Sequence, residues 1–77
     1  MNVARTAVRL TFPGATVNDP VIYQIGKDYR VVTNIRRAEL VEDTGWVELD
    51  LDGEPSEIDG ALEYCKGRGI TVEKLPH

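Results

Sequence analysis

One cysteine, one histidine and one tryptophan are all that this 77-residue chain offers among the residue types that most often carry chemistry. Cys65 stands alone and can form no internal disulfide, which fits a reducing compartment. His77 is the last residue printed, where a base is expected to be poorly held. A Ser-His-Asp or Cys-His unit needs a positioned base, so no catalytic residue is assigned and no enzyme is expected. No set of His and Cys has ligand spacing. Glu48, Asp50 and Asp52 alternate along one predicted strand without the loop geometry of an oxygen-ligated cation, so they read as a solvated strand face. Neither a metal nor a cofactor is expected.

Apolar runs are short as well. None approaches the ~18 residues of a membrane span. Met1-Asn2-Val3-Ala4-Arg5 lacks the apolar core of a signal peptide, so a cytoplasmic protein without membrane insertion is the expectation. Positive charge is scarce: nine Lys and Arg against thirteen Asp and Glu leave a net charge of −4. The acidic residues concentrate from Glu39 onward and would repel a phosphate backbone, which argues against a nucleic-acid partner. The basic pair Arg36-Arg37 falls on a strand, where alternation sends its side chains to opposite faces.

What is present suffices for one small domain, residues 1–77, with 42% hydrophobic residues. Val8, Leu10 and Phe12 alternate with polar or small residues as in a half-buried strand, closed by Pro13-Gly14. Asn18-Asp19-Pro20 is a helix-start signal, and Val21, Ile22, Ile25 and Tyr29 follow at helical spacing. Gly26 weakens that helix, and close helix-to-sheet packing is one reason to keep it. A long strand runs from about Val31 to Val41, with a kink or bulge expected near Arg37-Ala38. A turn at Asp43-Thr44-Gly45 leads to a third strand, Trp46 to Leu51. Here Val47, Leu49 and Leu51 face one side and Trp46, Glu48 and Asp50 the other.

Pro55 opens a second helix whose Ile58, Ala61, Leu62 and Cys65 share a face at i, i+3, i+4 and i+7, placing Cys65 in the core. Gly67 or Gly69 terminates it, and a last strand spans Ile70 to Leu75. The order β-α-β-β-α-β predicts an α+β, ferredoxin-like fold. Its sheet has four antiparallel strands in the order 4-1-3-2, and right-handed crossovers place both helices on one face.

Function is then expected on the uncovered face and the two edge strands. Trp46 falls on that face; Trp is enriched at interface hot spots, so Trp46 is a candidate interface residue, although one exposed aromatic is also ordinary. A chain this short buries only about 60–65% of its unfolded surface, and its edge strands are open to a second copy, so a homodimer is expected. Asn34 is out of place on a strand, where Asn is depleted.

Arg9-Leu10-Thr11-Phe12, Asp19-Pro20-Val21-Ile22, Val32-Thr33-Asn34-Ile35 and the run from Ala61-Leu62-Glu63-Tyr64 to Gly69-Ile70-Thr71-Val72-Glu73 stand in order along the chain. In order and spacing they resemble the NIL domain, a ferredoxin-like regulatory module, over nearly the whole length. NIL domains are best known at the C-terminus of methionine-import ATPases, where two copies pair and bind methionine to restrain transport. They also occur fused to iron-sulfur ferredoxin modules. The resemblance implies a regulatory module that binds methionine or a related amino acid at a dimer interface. Asn34 would then sit at the ligand and Ile35 would support the wall or the core. The family's Asn-Ile-Leu triplet is here Asn34-Ile35-Arg36, so Arg36 brings a long cation to the same place.

A phosphate-cradling G-x-x-x-x-G-K-[ST] loop and cluster-binding cysteines are both missing, which predicts a free-standing module or one cut from a larger protein. Met1 and the short ends favour the free-standing form. The alternative to a ligand sensor is a protein-interaction adaptor that has lost ligand binding and pairs with a larger enzyme or transporter. Retained Asn34 favours the sensor and Arg36 the adaptor. RNA binding on this fold would want aromatics on the two central strands, where only Trp46 is available.

Overall fold

Alternating apolar residues fix which side of each strand is buried, and the computed structural model, which describes residues 3–14, 20–41 and 44–76, follows that alternation closely. The elements are β1 (Ala4–Pro13), α1 (Val21–Asp28), β2 (Val31–Val41), β3 (Thr44–Gly53), α2 (Pro55–Gly67) and β4 (Thr71–Lys74). The strands form one four-stranded sheet in the order β2-β3-β1-β4, every neighbouring pair antiparallel, as the order 4-1-3-2 requires. The expected helix cap at Asn18-Asp19, the turn residue Asp43 and the terminal His77 lie outside the described residues.

Val8, Leu10 and Phe12 of β1 and Leu49 and Leu51 of β3 turn one face of the sheet into an apolar floor. Val21 and Ile25 of α1 and Ile58, Ala61, Leu62 and Cys65 of α2 pack on it, so both helices cover the same face. Tyr29 and Tyr64 meet between the helices with ring centroids 6.3 Å apart. Cys65 is fully buried, and that burial pushes its thiol up to about 11, so it is packing material, not a nucleophile.

Helix α1 starts at Pro20 without a side-chain cap. Gly26 is exposed there, and a Cβ built on it meets nothing within 4 Å; the close packing that would have justified it is absent. Helix α2 begins with Pro55 at its first turn, where a missing amide costs nothing. It ends in a Schellman motif: the Gly69 amide donates to the Lys66 carbonyl at 3.0 Å and the Ile70 amide to the Cys65 carbonyl at 3.0 Å. Gly69 takes the left-handed conformation with φ 81°. Ile70, expected in the last strand, instead closes this motif with its side chain buried, and β4 begins one residue later.

The bulge also differs in place. The pairing of β2 with β3 shifts register between Ile35 and Arg37, so Arg36 is the extra residue, one position before the expected kink. A bulged residue breaks the period of two locally. That break positions the site.

Candidate functional site

Strand phase decides which residues reach the uncovered face. On β1 these are Arg5, Ala7, Arg9 and Thr11, which pair with Asp52, Asp50, Glu48 and Trp46 of β3. On β2, Val32 and Asn34 lie opposite Asp52 and Asp50. Without a bulge, Arg36 and Arg37 would point to opposite faces. With one, both reach the open face: Arg36 donates to Asp50 and Arg37 to Glu48, two carboxylates on the same side of β3. This corrects the expectation drawn from simple alternation.

The result is a ladder of ion pairs along the central strand. Arg5 forks Asp52, with Nε to Oδ1 at 2.7 Å and Nη2 to Oδ2 at 3.0 Å. Glu48 accepts from Arg9 on Oε2, at 3.0 and 2.6 Å, and from Arg37 on Oε1, at 2.9 and 2.7 Å. The two guanidiniums flank Trp46, their carbons 4.6 Å (Arg9) and 5.8 Å (Arg37) from its ring centroid, within cation–π reach. Glu48 and Asp50 are only 7% and 5% exposed, so the reading of these acids as a solvated face fails. Side chains from both neighbouring strands lie over a central strand, and here those side chains are arginines.

Hydrogen bonds from Arg37 and then Arg9 hold the Glu48 carboxyl below its ordinary range, and the hydrogen bond from Arg5 does the same for Asp52. A carboxylate with a lowered folded pKa contributes stability in full above its unfolded value of about 4. That contribution is lost as the pH falls through the folded value. The urea-unfolding midpoint should therefore decline as pH drops below about 4. Glu48→Gln, which has no proton to take up there, should flatten part of that decline. Equal pH slopes for the two proteins would detach Glu48 from the acid sensitivity.

Asp50 differs from its neighbours. Its Oδ2 accepts from Arg36 Nε at 3.0 Å, while Oδ1 is buried with no hydrogen-bond partner among the described residues. Asn34 lies directly across from it, and the Asn34 amide reaches Asp52 Oδ2 at a long 3.5 Å. Asn34 and Arg36 thus share the open face around Asp50. Ile35, opposite Leu49, points to the helix side of the sheet and is 57% exposed there, so it neither lines the Asn34 face nor joins the core. Val32 is the exposed apolar residue beside Asn34 on its own face. Sequence alone does not place Asp50 beside Asn34 and Arg36. The one available signal was its position between Leu49 and Leu51 on a strand predicted to be central.

Among the described residues, no group of three or more His, Cys, Asp or Glu is placed to hold a metal ion, and no helix is long and apolar enough to cross a membrane.

The NIL domain family model matches residues 6–74. The chain belongs to the NIL domain family. This NIL domain is 33% identical over 73 residues to the methionine import ATP-binding protein MetN of Ralstonia nicotianae, covering 90% of this chain and 21% of that protein. It is 31% identical over 71 residues to the MetN protein of Geobacillus kaustophilus, covering 87% of this chain and 21% of the relative. The chain thus spans about a fifth of the length of the curated relatives it matches. In fold, the NIL domain is similar to the C-terminal domain of an ABC transporter ATP-binding protein from Enterococcus faecalis. The TM-score is 0.76 at 23% identity, over 94% of this chain and 84% of that one.

Proposed function

We propose that this NIL domain is a regulatory ligand-binding module that senses methionine or a related amino acid, at an interface between two copies. The observation that carries the reading is the placement of Asn34 and Arg36 side by side on the open face, beside a carboxylate with an unused oxygen. Both sit on β2, which ends the sheet and has no strand on its outer side among the described residues. An unpaired edge is a template for another strand. A second copy along that edge would cover Ile35 on one face and Val32 on the other, two exposed apolar side chains. Trp46, on the same open face, is the further interface candidate. Methionine import ATP-binding proteins among the relatives support methionine as the first ligand to test, and a larger transport ATPase in the cytoplasm as the context.

An Asn side-chain amide both donates and accepts, which suits it to a ligand carrying both kinds of group. Asn34→Ala should weaken methionine binding by about five- to 150-fold, equivalent to about 1–3 kcal/mol. The fold should survive, because Asn34 is exposed. Titration calorimetry of both proteins checks this. Absence of any heat with methionine or the other free amino acids, from native protein, would replace the sensor by an adaptor that pairs with a larger protein.

A further inference from the structure

Exposure on the open face is divided by sign. Arg5, Arg36 and Arg37 expose 60–68% of their side chains and Arg9 36%, whereas the carboxylates beneath them expose 8–22%. Solvent therefore meets guanidiniums first, on a chain whose net charge is −4. Arg5 and Arg36 each cover a carboxylate of their own, but Arg9 and Arg37 share Glu48, so two cations answer one anion. Each of those two guanidiniums spends Nε and Nη2 on Glu48, and its Nη1 makes no hydrogen bond among the described residues. Plain alternation keeps Arg36 on this face and would turn Arg37 to the helix side; the bulge is what adds Arg37 here. Trp46 lies within cation–π reach of both. Tryptophan and arginine are the residue types that interface hot spots favour.

We infer that the strip over Arg9, Trp46 and Arg37 docks an extended acidic segment of a partner protein. Carboxylates of that segment accept from the Nη1 edges of the two arginines, and its chain rests against the half-buried Trp46. The spacing suits an extended chain. The cations stand at the levels of Asp52, Asp50 and Glu48, alternate residues of β3 about 6.8 Å apart, and alternate residues of an extended segment repeat at the same interval. A small anion fits poorly, because ion pairs this exposed contribute little one at a time, whereas several carboxylates on one chain act together. A nucleic-acid strand fits poorly too. Glu73, opposite Arg9, and Glu39, opposite Trp46, are exposed on the same face and flank the cations. A uniform polyanion meets these acids wherever it crosses the sheet, while a peptide can set neutral residues against them. Failure of methionine to bind would leave this surface as it stands.

Two short capped peptides are the probes, one alternating glutamate with serine and the other glutamine with serine, each added to the native 15N-labelled chain at low ionic strength. Trp46 is the only tryptophan, so its indole N–H gives a single marker signal at the site. The glutamate peptide should move that signal and bind about three- to thirtyfold more tightly than the glutamine peptide, as two partly exposed ion pairs would give. Arg37→Gln should erase most of that difference. Lys27→Gln, the same change of charge placed on α1, should keep it. Equal binding of the two peptides, no binding of either, or an equal loss from both variants overturns the assignment. Tighter binding of a single-stranded oligothymidylate, with movement of the same signal, overturns it in favour of nucleic acid. An indole signal that moves on concentrating the protein alone, and not with peptide, overturns it in favour of a second copy. Should Arg37→Gln fail to fold, the two peptides on native protein still decide.

Discussion

Leu49→Ala should destabilise the chain severely, pulling its urea-unfolding midpoint far below that of native protein. Leu49 is fully buried on the central strand β3, facing both helices. Truncating such a leucine removes its transfer free energy and leaves a cavity, together about 2–5 kcal/mol. At about 0.05–0.15 kcal/mol per residue, a 77-residue chain has roughly 4–12 kcal/mol to lose. The substitution therefore consumes much of the total. Tyr23→Ala, on an exposed position of α1, should stay within about 0.5 kcal/mol of native protein. Urea unfolding followed by circular dichroism measures both, and a Leu49→Ala midpoint indistinguishable from that of Tyr23→Ala would mean the core is misplaced.

The second large effect comes from two glycines that sequence alone treats alike. Gly53 ends β3, and a Cβ built on it lies 2.5 Å from the Arg30 carbonyl oxygen and 3.2 Å from Val31 Cγ1. A backbone oxygen cannot rotate out of the way as a side chain can. Arg30 is also tied through its amide to the Glu57 carboxylate of α2 at 2.8 Å, so shifting it disturbs two elements. Gly53→Ala should cost about 1–3 kcal/mol, the usual range for overpacking. Gly26, with open space around it in α1, should give the opposite sign. Gly26→Ala should stabilise by about 0.4–1 kcal/mol through helix propensity and a stiffer unfolded chain. Thermal melts of the two variants should move in opposite directions from native protein; shifts of the same sign would contradict the geometry at one of them.

Most of the fold could be read from the sequence because its two periods are clean. The spacing of Ile58, Ala61, Leu62 and Cys65 admits only one buried face on α2, and the alternation in Val47, Leu49 and Leu51 only one on β3. What escaped were features that periodicity does not encode. Arg36 and Arg37 are both polar, so nothing in their pattern marks which is the extra residue of a bulge, and plain alternation separates the two arginines onto opposite faces. Glu48 and Asp50 occupy alternate positions like any solvent-facing pair, yet arginines from both neighbouring strands cover them. Burial of that kind arises only once β1 and β2 are set beside β3. Asn34 stood out because Asn is unusual on a strand, whereas Asp50, its partner across the ladder, gave little comparable signal.

Ligand recognition on the open face around Asn34 is tested most directly by amide chemical-shift mapping of 15N-labelled protein during methionine addition. Shifts concentrated on Val32 to Arg37 of β2 and on Asp50 and its β3 neighbours, with the helix amides of Ile58 to Cys65 unmoved, are the expected result. A spectrum in which methionine perturbs chiefly the helices, or nothing at all, would contradict it.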